Sequence, residues 1–331
     1  MLEKFWGEHD GVDFPHVVLA QQFSREQLEK IFILTSILKK EIGNGKMVEW
    51  LYGHIVLTLF YEPSTRTRLS HETAALRLGA RVISSENAAE FSSAIKGETL
   101  EDTIKIVSAM ADLVVMRHKA TGSAQKAASV NASPIINGGD GLGQHPTQAL
   151  LDVFTINEHF GNVDGLKVAM VGDLKRGRTV RSLTYMLSKF KGVEIYFVAP
   201  KIAQMGEDIK RHLDENKIWW GEEEEFQEVA LEADVIYMTR YQLERAVSEE
   251  ERRELEEVSK SHIMNRNVAN DMPETSIIMH PLPRVEEIRW SVDQNPRAKY
   301  FEQAANGIYI RMALLLMILN PSKAVELLNS N

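Results

Sequence analysis

Five polar residues, Ser64-Thr65-Arg66-Thr67-Arg68, follow an apolar run over 55–61 and precede apolar positions at helical spacing over 69–78. Such a loop brings hydroxyls, guanidinium groups and the open N–H groups of a helix start to one place. Together these suit a small anion, a phosphate above all. The plainer reading is an N-cap with two surface arginines. The strand-to-helix setting favours the anion site, because open α/β sheets bind ligands beyond the carboxyl ends of their strands.

Four further segments carry groups of the right kind. In Gly141-Leu142-Gly143-Gln144-His145-Pro146-Thr147-Gln148 a glycine-rich loop precedes a helix start, where His145 and an amide could face a ligand carbonyl. The stretch Gly172-Asp173-Leu174-Lys175-Arg176-Gly177-Arg178-Thr179 nearly matches a P-loop, yet Arg178 stands where that loop needs lysine. The planar fork of arginine favours bidentate pairing, so Arg178 reads as a carboxylate or phosphate clamp. Arg240 and Gln242, two apart after another strand, could reach one ligand group from an extended segment. In His280-Pro281-Leu282-Pro283-Arg284 two prolines impose an irregular backbone whose carbonyls stay available to an amine or amide. Among ten histidines the closest two in sequence are His9 and His16, so no metal site is expected. The absence of cysteine excludes thiolate nucleophiles, and no Ser-His-Asp pattern stands out.

These loops need a scaffold, and the apolar pattern supplies one. Helical spacing spans 22–42 with Ser24 as N-cap, then 100–110, 146–159, 179–190, 202–213 and 304–319. Strand-like runs cover 55–61, 81–83, 113–116, 134–137, 167–171, 194–198, 235–238 and 276–279. The alternation predicts two doubly wound parallel-sheet α/β domains, with the C-terminal helix packing back on the first. The expected domains are 1–146 with 304–331, and 147–303. A length of 331 residues accommodates both, and the net charge of -9 argues against nucleic acid as a partner. The acidic runs 222–225 and 249–257 read as solvated surface. The longest apolar run, 312–319, is too short for a membrane span, and residues 1–13 lack the order of a signal peptide. The expected location is the cytoplasm.

In order and in type, Ser64-Thr65-Arg66-Thr67-Arg68, His145-Pro146-Thr147-Gln148 and His280-Pro281-Leu282-Pro283-Arg284 resemble the aspartate/ornithine carbamoyltransferases, over nearly the whole chain. The resemblance implies carbamoyl transfer from carbamoyl phosphate to L-aspartate, without cofactor or covalent intermediate, as a step of pyrimidine biosynthesis. Ser64, Thr65, Arg66 and Thr67 would bind the phosphate, and Arg117 would reach phosphate and carbonyl oxygen. His145 would polarise the carbonyl, while Gln148 and the backbone of Pro281 and Leu282 would hold the carbamoyl amide. Arg66, Arg117 and His145 are thus the expected catalytic donors. Arg178, Arg240, Gln242 and Lys96 would bind aspartate, with Ser92 and Lys96 donated by an adjacent chain. Glu62 resembles an acid that pairs with Arg178 and Arg245 on domain closure. The resemblance also implies a catalytic homotrimer and leaves a separate regulatory chain open. His71, Ile95 and Arg176 depart from the family pattern, at positions often held by an aromatic, a lysine and a tyrosine.

Aspartate is favoured over ornithine because ornithine enzymes carry cysteine in place of Pro281, and because a diacid suits Arg178, Arg240 and Arg245. The alternatives are carbamoylation of another amino acid, a P-loop-like nucleotide-binding protein, and a silent homologue serving as scaffold.

Overall fold

The computed structural model describes residues 14–88 and 97–330; Ser92, Ile95 and Lys96 lie outside them. The described residues form two compact units. One takes those up to Leu150 and from Asn306 onward, the other Leu151–Ala305.

The first unit holds β1 (Ile55–Phe60), β2 (Arg81–Glu86), β3 (Leu113–His118) and β4 (Ile135–Asp140) in the order β2-β1-β3-β4, all parallel. Helices Thr65–Arg77, Leu100–Val107 and Ser123–Ser129 lie between these strands in the chain. Strands covered on both faces read as unbroken apolar runs, which is why β1, with five of its six residues buried, was legible. Leu57, Leu59, Val114, Met116 and Ile135 join Ile104 in the core. Helix Arg25–Ile42 opens on a capping box: Ser24 Oγ accepts the Gln27 N–H at 3.1 Å, and the Gln27 side chain accepts that of Ser24 at 2.9 Å. The part of helix Tyr300–Leu319 from Asn306 on belongs to this unit, where Asn306 accepts from Lys39 at 2.9 Å. The buried side chains over 312–318 complete its core. Among the described residues no single helix is long and apolar enough to cross a membrane.

The second unit holds β5 (Lys167–Val171), β6 (Glu194–Val198), β7 (Trp219–Glu223), β8 (Val235–Met238) and β9 (Ile277–Met279) in the order β7-β6-β5-β8-β9, again parallel. Ala169, Val171, Ile236, Met238 and Ile278 form its core with Phe226, Met264 and Tyr300. The edge strand β7 carries Gly221, Glu222 and Glu223, which hid it from the apolar pattern. The acidic run 249–257 lies within helix Glu249–Val258, whose only buried residue is Leu255.

Candidate active site

In the first sheet β1 and β3 are neighbours, but the chain leaves them in opposite directions, one towards β2 and the other towards β4. A crevice opens at such a switch point, beyond the carboxyl ends of the two strands. Register puts Phe60 opposite Arg117, and the Tyr61 N–H donates to the Arg117 carbonyl at 2.8 Å. The loop to Ser64 and the Arg117 side chain therefore rise from the same edge. Ser64 precedes helix Thr65–Arg77 without a side-chain cap, so its hydroxyl leaves the N–H groups of the first turn to a ligand. Burial lowers the pKa of the Arg66 guanidinium, a cost that an anionic partner would offset.

Thr67 Oγ1 lies 3.4 Å from His145 Nε2. Arg117 Nη1 donates to the Gly138 carbonyl at 3.2 Å, and its Nε stands 3.6 Å from Glu62. The structure thus gathers Thr67, Arg117 and His145 around the end of β1. The loop carrying His145 is held by Asp140, whose carboxylate accepts the N–H groups of Gln144 at 2.8 Å and Gly122 at 2.7 Å. Gly141 sits at φ +45, and a Cβ there would lie 2.6 Å from the Lys119 carbonyl, so the tight path admits only glycine. Behind Thr67, His71 Nδ1 lies 2.8 Å from the Thr67 carbonyl. A carbonyl only accepts, so Nδ1 carries the ring proton. Burial, reinforced by nearby Arg311, holds the His71 pKa well below the ordinary imidazole value.

The second sheet has its own switch point between β5 and β8. The loop after β5 leads to Arg178 at the start of helix Arg178–Leu187, and the loop after β8 carries Arg240, Gln242 and Arg245. Gly172, at φ +117, lets the two loops touch, since a Cβ there would lie 2.2 Å from the Thr239 carbonyl. Buried Asp173 joins them: one oxygen accepts the Arg176 N–H at 3.2 Å and Nη1 at 3.3 Å, and the other accepts the Gln242 N–H at 3.2 Å. Burial raises the Asp173 pKa, and these donors work against that rise. Arg176 also pairs with Glu251, and its carbonyl accepts from Arg245 at 3.1 Å. Arg240 is engaged by Glu244, with one contact at 3.0 Å; this bond raises the arginine pKa and lowers that of the glutamate.

Several expected residues are therefore together within each unit: Ser64, Thr65, Arg66, Thr67, Arg117 and His145 in the first, and in the second Arg240, Gln242 and Arg245 about Asp173 and Arg176, with Arg178 opening the helix that follows their loop. Gln148 lies in the first turn of helix Pro146–Phe160, where its N–H donates to the His145 carbonyl at 3.0 Å. Pro281 and Leu282 follow β9. Glu62 stands beside Arg117 within the first unit. Asp140 and Asp173 were missed in the sequence. Each is an acid at or just past a strand end beside a glycine, and that pairing was the available signal.

Two parallel-sheet units, each with cationic side chains at its switch point, define an α/β protein built to bind anionic ligands. Residues 15–158 match the carbamoyl-P binding domain of aspartate/ornithine carbamoyltransferases, and residues 164–318 match the Asp/Orn binding domain. The chain belongs to the aspartate/ornithine carbamoyltransferase family. It is 53% identical to the chloroplastic aspartate carbamoyltransferase 2 of Pisum sativum, over 92% of this chain and 78% of that protein. The structure of the catalytic subunit of M. jannaschii aspartate transcarbamoylase is similar with a TM-score of 0.86 at 42% identity, covering 94% of this chain and 99% of that one. Aspartate transcarbamoylase from Trypanosoma cruzi, in complex with carbamoyl phosphate and aspartate, is similar with a TM-score of 0.87 at 36% identity, covering 94% and 99%.

Proposed function

We propose that the protein transfers the carbamoyl group of carbamoyl phosphate to the amine of L-aspartate, giving N-carbamoyl-L-aspartate and phosphate for pyrimidine biosynthesis. The observation that carries this reading is the grouping of Thr67, Arg117 and His145 beside an uncapped helix start. Ser64, Thr65, Arg66 and Thr67 take the phosphate. Arg117 and His145 face the carbonyl oxygen, and Gln148 with the carbonyls of Pro281 and Leu282 takes the carbamoyl NH2. Arg178, Arg240 and Gln242 pair with the carboxylates of aspartate, displacing Glu244 from Arg240.

The neutral amine attacks the carbonyl carbon, a C–N bond forms and a tetrahedral oxyanion collapses with loss of phosphate. The proton shed by the amine is matched by the basic phosphate that leaves. Such a reaction needs orientation and cations placed at developing charge, which this chain's arginines and His145 supply.

In this reading 1–146 with 304–331 is the carbamoyl-phosphate domain and 147–303 the aspartate domain. The active form is a homotrimer, in which Ser92 and Lys96 of one chain serve the site of the next, and it works in the cytoplasm. Glu62 trades Arg117 for Arg178 and Arg245 when substrates are bound. Purified protein should release phosphate from carbamoyl phosphate only when L-aspartate is added. Release with ornithine and none with aspartate would sink the assignment.

A further inference from the structure

The turn over 280–283 spends both of its N–H groups internally. The His280 N–H donates to Gln303 Oε1 at 2.8 Å, and the Leu282 N–H donates to His280 Nδ1 at 2.7 Å. Pro281 and Pro283 have none to give. With Nδ1 accepting, the ring proton sits on Nε2 and is donated to Glu287 at 2.7 Å. Glu287 also accepts the N–H groups of Val285 and Glu286. Leu282 is held at φ +54, a left-handed conformation that a branched side chain keeps only when its surroundings impose it.

What imposes it reaches well beyond the turn. Gln303 Nε2 donates to Asp152 Oδ1 at 2.6 Å, and the Tyr237 hydroxyl donates to Asp152 Oδ2 at 2.7 Å. Asp152, Tyr237 and Gln303 are all fully buried. The Thr179 hydroxyl hydrogen-bonds Tyr237 in turn. Asp152 accepts at both oxygens, so Gln303 must offer it the NH2 and turn its own oxygen to the His280 N–H. One carboxylate, a helical turn after Gln148, thereby links three chemistry-bearing segments, two through its own hydrogen bonds and the third through Tyr237. Thr179 follows Arg178, Tyr237 lies on the strand leading to Arg240, and Gln303 holds the turn of Pro281 and Leu282.

We propose that Asp152 and Gln303 are positioning residues whose buried carboxylate–amide pair sets the 280–283 turn so that the carbonyls of Pro281 and Leu282 meet the carbamoyl NH2. The inference rests on the carbamoyl-transfer reading. A turn that drifts loses its hold on that NH2 but none on the phosphate. Selectivity for carbamoyl phosphate over acetyl phosphate, which carries a methyl group in place of the NH2, therefore reports on the pair.

The test compares Asp152→Asn, Gln303→Glu and their double variant, with kcat/KM measured for both acyl phosphates and aspartate saturating. Each single change sets two donors or two acceptors face to face. The double variant restores a full set: the new glutamate accepts from His280 and from the new asparagine, which accepts from Tyr237. The singles should lose about 10- to 100-fold with carbamoyl phosphate and less than about 3-fold with acetyl phosphate, and the double should recover most of the ratio. Equal losses with both substrates, or a double no better than the singles, overturn the proposal. Should the singles not fold, Tyr237→Phe removes one donor without repulsion and should still lower the ratio; an unchanged ratio overturns the proposal equally. A wild-type protein inert towards carbamoyl phosphate would instead overturn the carbamoyl-transfer reading itself.

Discussion

Thr67 is gripped from two sides, by His145 at its hydroxyl and by His71 at its carbonyl, and the two histidines ask for different tests. In the proposed reaction His145 and Arg117 meet charge that develops only in the transition state. Replacing either by alanine should lower kcat by about 10²–10³ while leaving the fold intact; steady-state rates beside a melting curve check this. His71 instead affects stability. Its folded pKa lies below the ordinary 6.5, so on acidification the unfolded chain binds a proton that the folded one refuses. Stability from this group is complete above about pH 6.5 and falls below it, by at most about 1.4 kcal/mol per pH unit. His16, His118, His212 and His262 shift in the same direction, so the useful comparison is with His71→Phe. Urea midpoints between about pH 5 and pH 7.5 should show a flatter slope in the variant; equal slopes would count against a buried neutral His71.

At the scale of elements, the sheets were legible because buried parallel strands are continuous apolar runs with turn residues between them. What escaped was whatever lacked that signature. The edge strand β7 is interrupted by Gly221 and closed by glutamates, and the helices Phe226–Ala230 and Arg266–Asp271 are too short to show a period. The loops were legible by their arginines and His145, which stand out by type. The acids that hold those loops were not: Asp140 and Asp173 act through backbone N–H groups, and no sequence pattern records where an N–H points. Gly172 shows how much rests on such contacts. Alanine there would need left-handed backbone and would drive a Cβ into the Thr239 carbonyl, parting the loop of Arg178 from that of Arg240 and Gln242. Gly172→Ala should raise KM for aspartate at least about tenfold and cost about 1–3 kcal/mol of stability, with KM for carbamoyl phosphate little changed. Varying each substrate in turn checks the split, and a parallel rise in both constants would argue for general damage.

For the whole molecule the question is whether one chain suffices. The first unit exposes Ile83, Ile106 and Met110 around an apolar hollow lined also by Leu57 and Leu59, at 45%, 49% and 58% exposure for the three rim residues. Scattered apolar side chains on a surface need no explanation, but a contiguous set of this kind suits contact with another copy. The proposed donation of Ser92 and Lys96 turns that suitability into arithmetic. In a ring whose sites each join Arg66 of one chain to Lys96 of the next, Arg66→Ala and Lys96→Ala chains are both inactive alone. Mixed at random in equal amounts, they build an intact site wherever a chain with Arg66 precedes one with Lys96, which is about a quarter of all sites. Hybrids formed by dissociating and reassembling the two variants should therefore recover roughly a quarter of the parental rate. If every site lay within one chain, no hybrid could contain an intact site, and recovery would stay at zero however the variants were mixed.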